Sequence, residues 1–129
     1  MAGYSLNTTR DAFQGGKNIL ASEHFQFVHG GATLKASVIG AVKLEVGTAI
    51  MRKISTGFYE KYADATGAIP VGYDNFSILN VDVQLDGVND VVVGEVLIRG
   101  SVYDAKLNAN VTAAFKTETK DKFFFVKHI

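Results

Sequence analysis

Cysteine is missing from this chain, which excludes disulfides, thiolate metal sites and a cysteine nucleophile and leaves packing, strand pairing or association to hold the fold. Tryptophan is missing too, and proline occurs once, at Pro70. Charge of either sign is not in excess, since 13 Lys plus Arg stand against 13 Asp plus Glu. Without net charge and without a Lys/Arg run there is no field to draw the protein onto a polyanion, so nucleic acid is not expected as a partner. No window approaches the roughly 18 apolar residues of a membrane helix. The start, Met1-Ala2-Gly3-Tyr4-Ser5-Leu6-Asn7-Thr8-Thr9-Arg10-Asp11, lacks the basic cluster and apolar block of a signal peptide. No membrane association is expected, and the protein is expected to be made and kept in a cytoplasm.

What is present is a dense supply of apolar residues, 47% of 129, enough for one domain with its own core. Breaks recur roughly every 8–12 residues, at Ser55-Thr56-Gly57, Asp64-Ala65-Thr66-Gly67, Gly72-Tyr73-Asp74-Asn75 and Asp86-Gly87-Val88-Asn89-Asp90, which is the punctuation of a mainly β domain. His24 to Val28 alternates around two aromatics. Val38 to Val46 is an apolar run broken at Gly40, and Thr48 to Ile54 with Phe58 to Tyr62 reads as a hairpin. Phe76 to Val83 reads as one strand with a wet side at its far end. Val91-Val92-Val93 and Val96-Leu97-Ile98 flank Gly94, a candidate bulge, at the expected centre of the sheet. Val111, Ala114 and Phe115 fall at i, i+3, i+4 and predict one short helix, followed by a last buried strand at Phe123-Phe124-Phe125-Val126. Phe58, Ile78, Leu97 and Phe124 are expected in the core. Residues 1–18 differ from residues 19–129: Tyr4, Leu6 and Phe13 are set sparsely among polar residues and the Gly15-Gly16 pair. This segment is either a loose chain end or an extended arm that orders on a partner.

Few residues invite chemistry. His24 and His29 are an odd number apart and would face opposite sides of a strand, so they are poorly placed to share a metal. Asp86, Asn89 and Asp90 lack the residue order of a calcium loop, and a hairpin turn is the better reading. Gly30-Gly31 is a turn signal, and Arg52-Lys53 is a solvated strand edge in place of a phosphate site. No nucleophile, base and orienting group can be nominated at useful spacing, so no catalytic residue, cofactor or metal ligand is expected and an enzyme is the least favoured class.

A resemblance is carried by an ordered series of blocks: Gly47-Thr48-Ala49-Ile50, then Ser55-Thr56-Gly57-Phe58-Tyr59-Glu60-Lys61-Tyr62, then Ile78-Leu79-Asn80-Val81-Asp82-Val83, then Asn89-Asp90, and finally Val96-Leu97-Ile98-Arg99-Gly100-Ser101-Val102 through Ala105-Lys106-Leu107. Across residues 28–129 the series resembles the lambda-type head decoration proteins of tailed bacteriophages. The resemblance implies a small barrel-like β domain that is not an enzyme. It also implies a homotrimer on the outer surface of the phage head that bridges major capsid protein subunits and uses its N-terminal arm to engage them. On that implication Tyr4, Leu6 and Phe13 are the capsid-binding residues. The arm departs from the lambda protein, being neither proline-rich nor an evident strand. Two other classes stay open from the residues alone. A tail or head–tail joining subunit would form rings or tubes through heterologous contacts, and a carbohydrate-binding β domain would want an exposed aromatic platform, most often including tryptophan.

Overall fold

A computed structural model describes residues 18–127. The chain is mainly β, with strands β1 (Gln26–Phe27), β2 (Ala32–Leu34), β3 (Lys43–Leu44), β4 (Ala49–Lys53), β5 (Tyr59–Lys61), β6 (Tyr73–Leu79), β7 (Val83–Gln84), β8 (Val91–Val93), β9 (Val96–Tyr103) and β10 (Phe123–Val126). Two short helices, α1 (Ala36–Ile39) and α2 (Ala113–Glu118), interrupt them. Eight strands form one curled half-barrel sheet in the order β1-β9-β6-β4-β5-β2-β8, with β10 pairing in parallel with β9. β3 and β7 form a separate two-stranded sheet.

The β4–β5 hairpin forms where the sequence places it. Lys53 N–H donates to the Phe58 carbonyl at 2.9 Å and Gly57 N–H to the Lys53 carbonyl at 2.8 Å, with Gly57 at φ 80° supplying the left-handed step that costs glycine little. Strict alternation then divides the apolar residues between the faces of the sheet. Ala49, Met51, Ile78 and Leu97 join one core, whereas Ile50, Leu79 and Val96 join a second. The first core is closed by α2 and by Ile19, Val102 and Phe123, and its centre is a set of edge-to-face rings: Tyr62 lies 5.9 Å from Phe76 and 5.1 Å from Phe115. The second is closed by Ala36 of α1, Leu44 of β3 and Val83 of β7. The stretches Ala49–Met51 of β4, Phe76–Leu79 of β6 and Val96–Leu97 of β9 are therefore buried on both faces, and successive apolar side chains there, such as Ile78 and Leu79, serve different cores.

The helix expected around Val111, Ala114 and Phe115 is α2. Its N-cap is Thr112, whose hydroxyl accepts from Phe115 N–H, satisfying one of the free donors of the first turn.

Other expectations are corrected. Among the described residues there are two short α-helices where one was expected: the Val38–Val46 run opens in α1, because Ala36 N–H is bound by Asp90 Oδ1 at 2.9 Å and Gly40, at φ 97°, ends the turn. The Phe76–Val83 strand is two, since Asn80 to Asp82 turn and Asp82 Oδ1 accepts from Val46 N–H at 2.9 Å, sending β7 to pair with β3. Gly94 sits in open space at a bend. The close approach is at Gly100, at φ 149°, where a Cβ would meet Phe25 Cβ at 2.9 Å. The expected centre of the sheet is corrected: β9 is an interior strand, next to the end strand β1, β8 ends the sheet on the other side, and β4 lies in the middle. The Asp86–Asp90 segment is a turn and not a hairpin, for it links β7 of the small sheet to β8 of the large one. In the core list, Ile78 and Leu97 are fully buried, Phe58 is half-buried, and Phe124 is 67% exposed because Phe123 takes the inward position of β10.

Candidate functional site

Most aspartates of the described chain are engaged by the fold. Asp64 accepts from the Tyr62 hydroxyl and from Thr112 Oγ1. Burial, followed by that bond to Asp64, pushes the Tyr62 phenol up to about 12. Asp74 holds Arg52 in a two-pronged pair at 2.8 and 2.6 Å. Arg52 belongs to an interior strand, so the expected solvated edge is corrected to a structural ion pair. The same pairing holds Asp74 below the usual carboxylate range, with Lys122 adding a smaller effect. Asp86 accepts from Val88 N–H, Asn89 N–H and Asn89 Nδ2, which lowers it to about 2. Asp90 and Asp82 pair with Lys35 and Lys43 besides binding backbone, and Asp104 pairs with Lys116 at 2.5 Å. These carboxylates tie loops to strands and do not converge on a cleft. Among the described residues no group of three or more His, Asp or Glu is gathered closely enough to hold a metal ion. His24 and His29 are exposed, His29 Nε2 lying 3.0 Å from Gln26 Nε2.

The cations are distributed differently. A groove of about 320 Å³ opens where β10 joins β9, lined by His24, Arg99, Lys120, Asp121, Lys122 and Phe124 together with Gly100, Ser101 and Phe123. Local structure explains the gathering. Gly100 lets the His24–Phe25 backbone cross close over β9, and Gly100 N–H donates to the Lys122 carbonyl at 3.0 Å, bringing in the chain that leaves α2. That chain is turned by Thr119, whose carbonyl accepts from both Lys122 and Phe123 N–H at 2.9 Å and whose hydroxyl donates to the Phe115 carbonyl. Phe124 then stands opposite Ser101 in the parallel register and points outward. Among the described residues Arg99, Lys120 and Lys122 form no ion pair, either with Asp121 beside them or with any other carboxylate.

Tyr4, Leu6 and Phe13, the expected capsid-binding residues, lie outside the described residues. The groove residues were not nominated from the sequence, for they come from three separated stretches and the cations never form a run. One signal was there: in Phe123-Phe124-Phe125 strand alternation requires one ring to face away from its neighbours. The arrangement can bind anionic groups beside an apolar shelf. A scan against protein-family models, a search of curated proteins and a search of solved structures each return no match to this chain.

Proposed function

We propose that the chain is a capsid decoration protein of the lambda type, which binds the outer surface of the mature head of a tailed phage as a trimer and stabilises it by bridging major capsid protein subunits. The observation that carries this reading is the ordered series of sequence blocks between Gly47 and Leu107. The fold is compatible with it: those blocks fall on the entry to β4, on the β4–β5 hairpin, on the end of β6 and on β9, the strands that frame both cores. A small mainly β body with exposed aliphatic and aromatic side chains, among them Val71, Val88, Val92 and Phe124, has surface to offer neighbouring proteins.

The physical role is linkage. A protein that binds only the mature shell stabilises it by about 2.7 kcal/mol per site when present at about a hundredfold excess over Kd. A trimer that grips three neighbours gains further through effective concentration. Electron microscopy of the protein mixed with expanded, undecorated heads of its parental phage tests the proposal: trimeric density at three-fold or quasi-three-fold positions is the expected result. Bare heads at saturating protein would end the assignment.

A further inference from the structure

Among the described residues the cations of the β9–β10 groove form no ion pair, and only Lys122 feels a carboxylate of the fold, adding a smaller effect to the lowering of Asp74. The carboxylates Asp64, Asp74, Asp82, Asp86, Asp90 and Asp104 are bonded to backbone, hydroxyls or their own Lys and Arg partners. Arg99, Lys120 and Lys122 converge with His24 on one groove, and only Asp121 stands among them. A chain of zero formal charge thus carries a local cationic site beside an outward-facing ring, Phe124, which is 67% exposed.

We propose that this groove docks a carboxylate-rich segment of a partner protein, with Arg99, Lys120 and Lys122 pairing its acids and Phe124 packing against an apolar side chain beside them. Charge complementarity selects an anionic occupant, and the surroundings select a protein. Nucleic acid binding commonly engages on the order of 6–10 phosphates along a track, and single strands ask for successive stacking rings. The groove has one exposed ring and three cations, and the neutral chain around it adds no long-range attraction. A volume of about 320 Å³ suits a few side chains of a docked segment. Arg99 stands on β9 and the Lys122 backbone is tethered by its bond to Gly100, so the main chain that carries these two residues needs no reordering, which lowers the cost of binding. If the decoration reading holds, the acidic segment lies on the outer face of the shell subunit, and the inference to that partner rests on that reading.

The test uses full-length protein, an R99E/K120E double variant and a Phe124→Ala variant. All replaced side chains are exposed, and thermal melts within about a degree or two of the parent verify that the variants fold. A fluorescein-labelled oligoglutamate peptide containing one phenylalanine is followed by anisotropy at low and physiological salt, beside a labelled single-stranded oligonucleotide of equal charge. The expected result is salt-dependent peptide binding with amide NMR shifts at Ser101 and Lys120–Phe124. The charge reversal should weaken it about tenfold or more, and Phe124→Ala by several-fold. Absent binding, shifts elsewhere, or tighter binding of the oligonucleotide overturns the proposal. Loss of self-association in the double variant would reassign the groove to contact between copies and overturn it as well. Co-sedimentation with expanded heads separates the two readings. Undiminished attachment of the double variant sinks the groove and spares decoration, whereas peptide binding at the groove without any head attachment sinks decoration and spares the groove.

Discussion

At the scale of single residues, side-chain amides and hydroxyls do work that backbone ladders leave undone. Asn110 is the clearest case. Its Oδ1 accepts from Ala49 N–H at 3.0 Å and its Nδ2 donates to the carbonyls of Ala49 and Tyr62 at 2.8 and 3.1 Å, so one side chain joins the start of β4 to the end of the hairpin. Asn110→Ala strands a donor on Ala49, which is fully buried, and is expected to cost about 1–3 kcal/mol. Urea unfolding reads this directly, and an unchanged midpoint would show that water replaces the amide. Tyr62 supplies a pH signature. Burial and the bond to Asp64 push its phenol up from the ordinary 10.0 to about 12, so its contribution to stability is fully present below pH 10 and is lost as pH rises from about 10 to about 12. Melting temperatures of wild type and Tyr62→Phe should converge across that window. Parallel curves would mean that the phenol is not the titrating group. Asp86 has the opposite sign, being lowered to about 2. Its contribution is present above the usual aspartate range and fades as pH falls from about 4 to about 2, so an Asp86→Ala variant should lose less on acidification than the parent.

At the scale of elements, burial on both faces makes adjacent residues of one strand independent supports of separate cores. Ile78 and Leu79 are both fully buried and belong to different clusters. Truncating either to Ala is expected to cost on the order of 2–5 kcal/mol, with nearly additive losses in the double variant, since the two share no core. Strong non-additivity in chemical unfolding would show that the cores communicate through the sheet. β10 gives the contrast. Phe123 is 2% exposed and Phe124 67%, so Phe123→Ala should cost about 3–5 kcal/mol while Phe124→Ala leaves stability within about 0.5 kcal/mol. Equal effects in calorimetry would mean that β10 is turned over in solution.

At the scale of the whole molecule, the proposed decoration role requires association. The protein is expected to be a closed trimer, at least on the shell, and light scattering together with counting on capsids checks it. A monomer at every concentration that also attaches singly to heads would defeat the trimer. Under the decoration proposal, head binding is expected of the N-terminal segment bearing Tyr4, Leu6 and Phe13. Removing residues 2–17 is therefore expected to leave the melting temperature nearly unchanged and to weaken co-sedimentation with expanded heads severely. Undiminished co-sedimentation would move the contact onto the folded body, where the β9–β10 groove is the first place to look.

Local periodicity and turn chemistry were readable without any structure. The β4–β5 hairpin follows from two apolar runs around Ser55-Thr56-Gly57, and α2 from Val111, Ala114 and Phe115, because side-chain direction repeats with the backbone's own period and glycine permits the left-handed step. The burial of Ile78 and Leu97 follows from the same period. Pairing partners did not follow. Whether Phe123 or Phe124 faces inward depends on β10 joining β9 in parallel, and the split of Phe76–Val83 depends on Asp82 finding Val46 N–H across 36 residues. The choice between strand and helix at Ala36 depends on Asp90, 54 positions away. The groove is of this second kind, since His24, Arg99 and Lys120 meet only when the sheet has curled and Gly100 has let another strand come close. Local geometry sets which elements the chain can form, and tertiary closure decides which face each one buries and which distant charges it brings together.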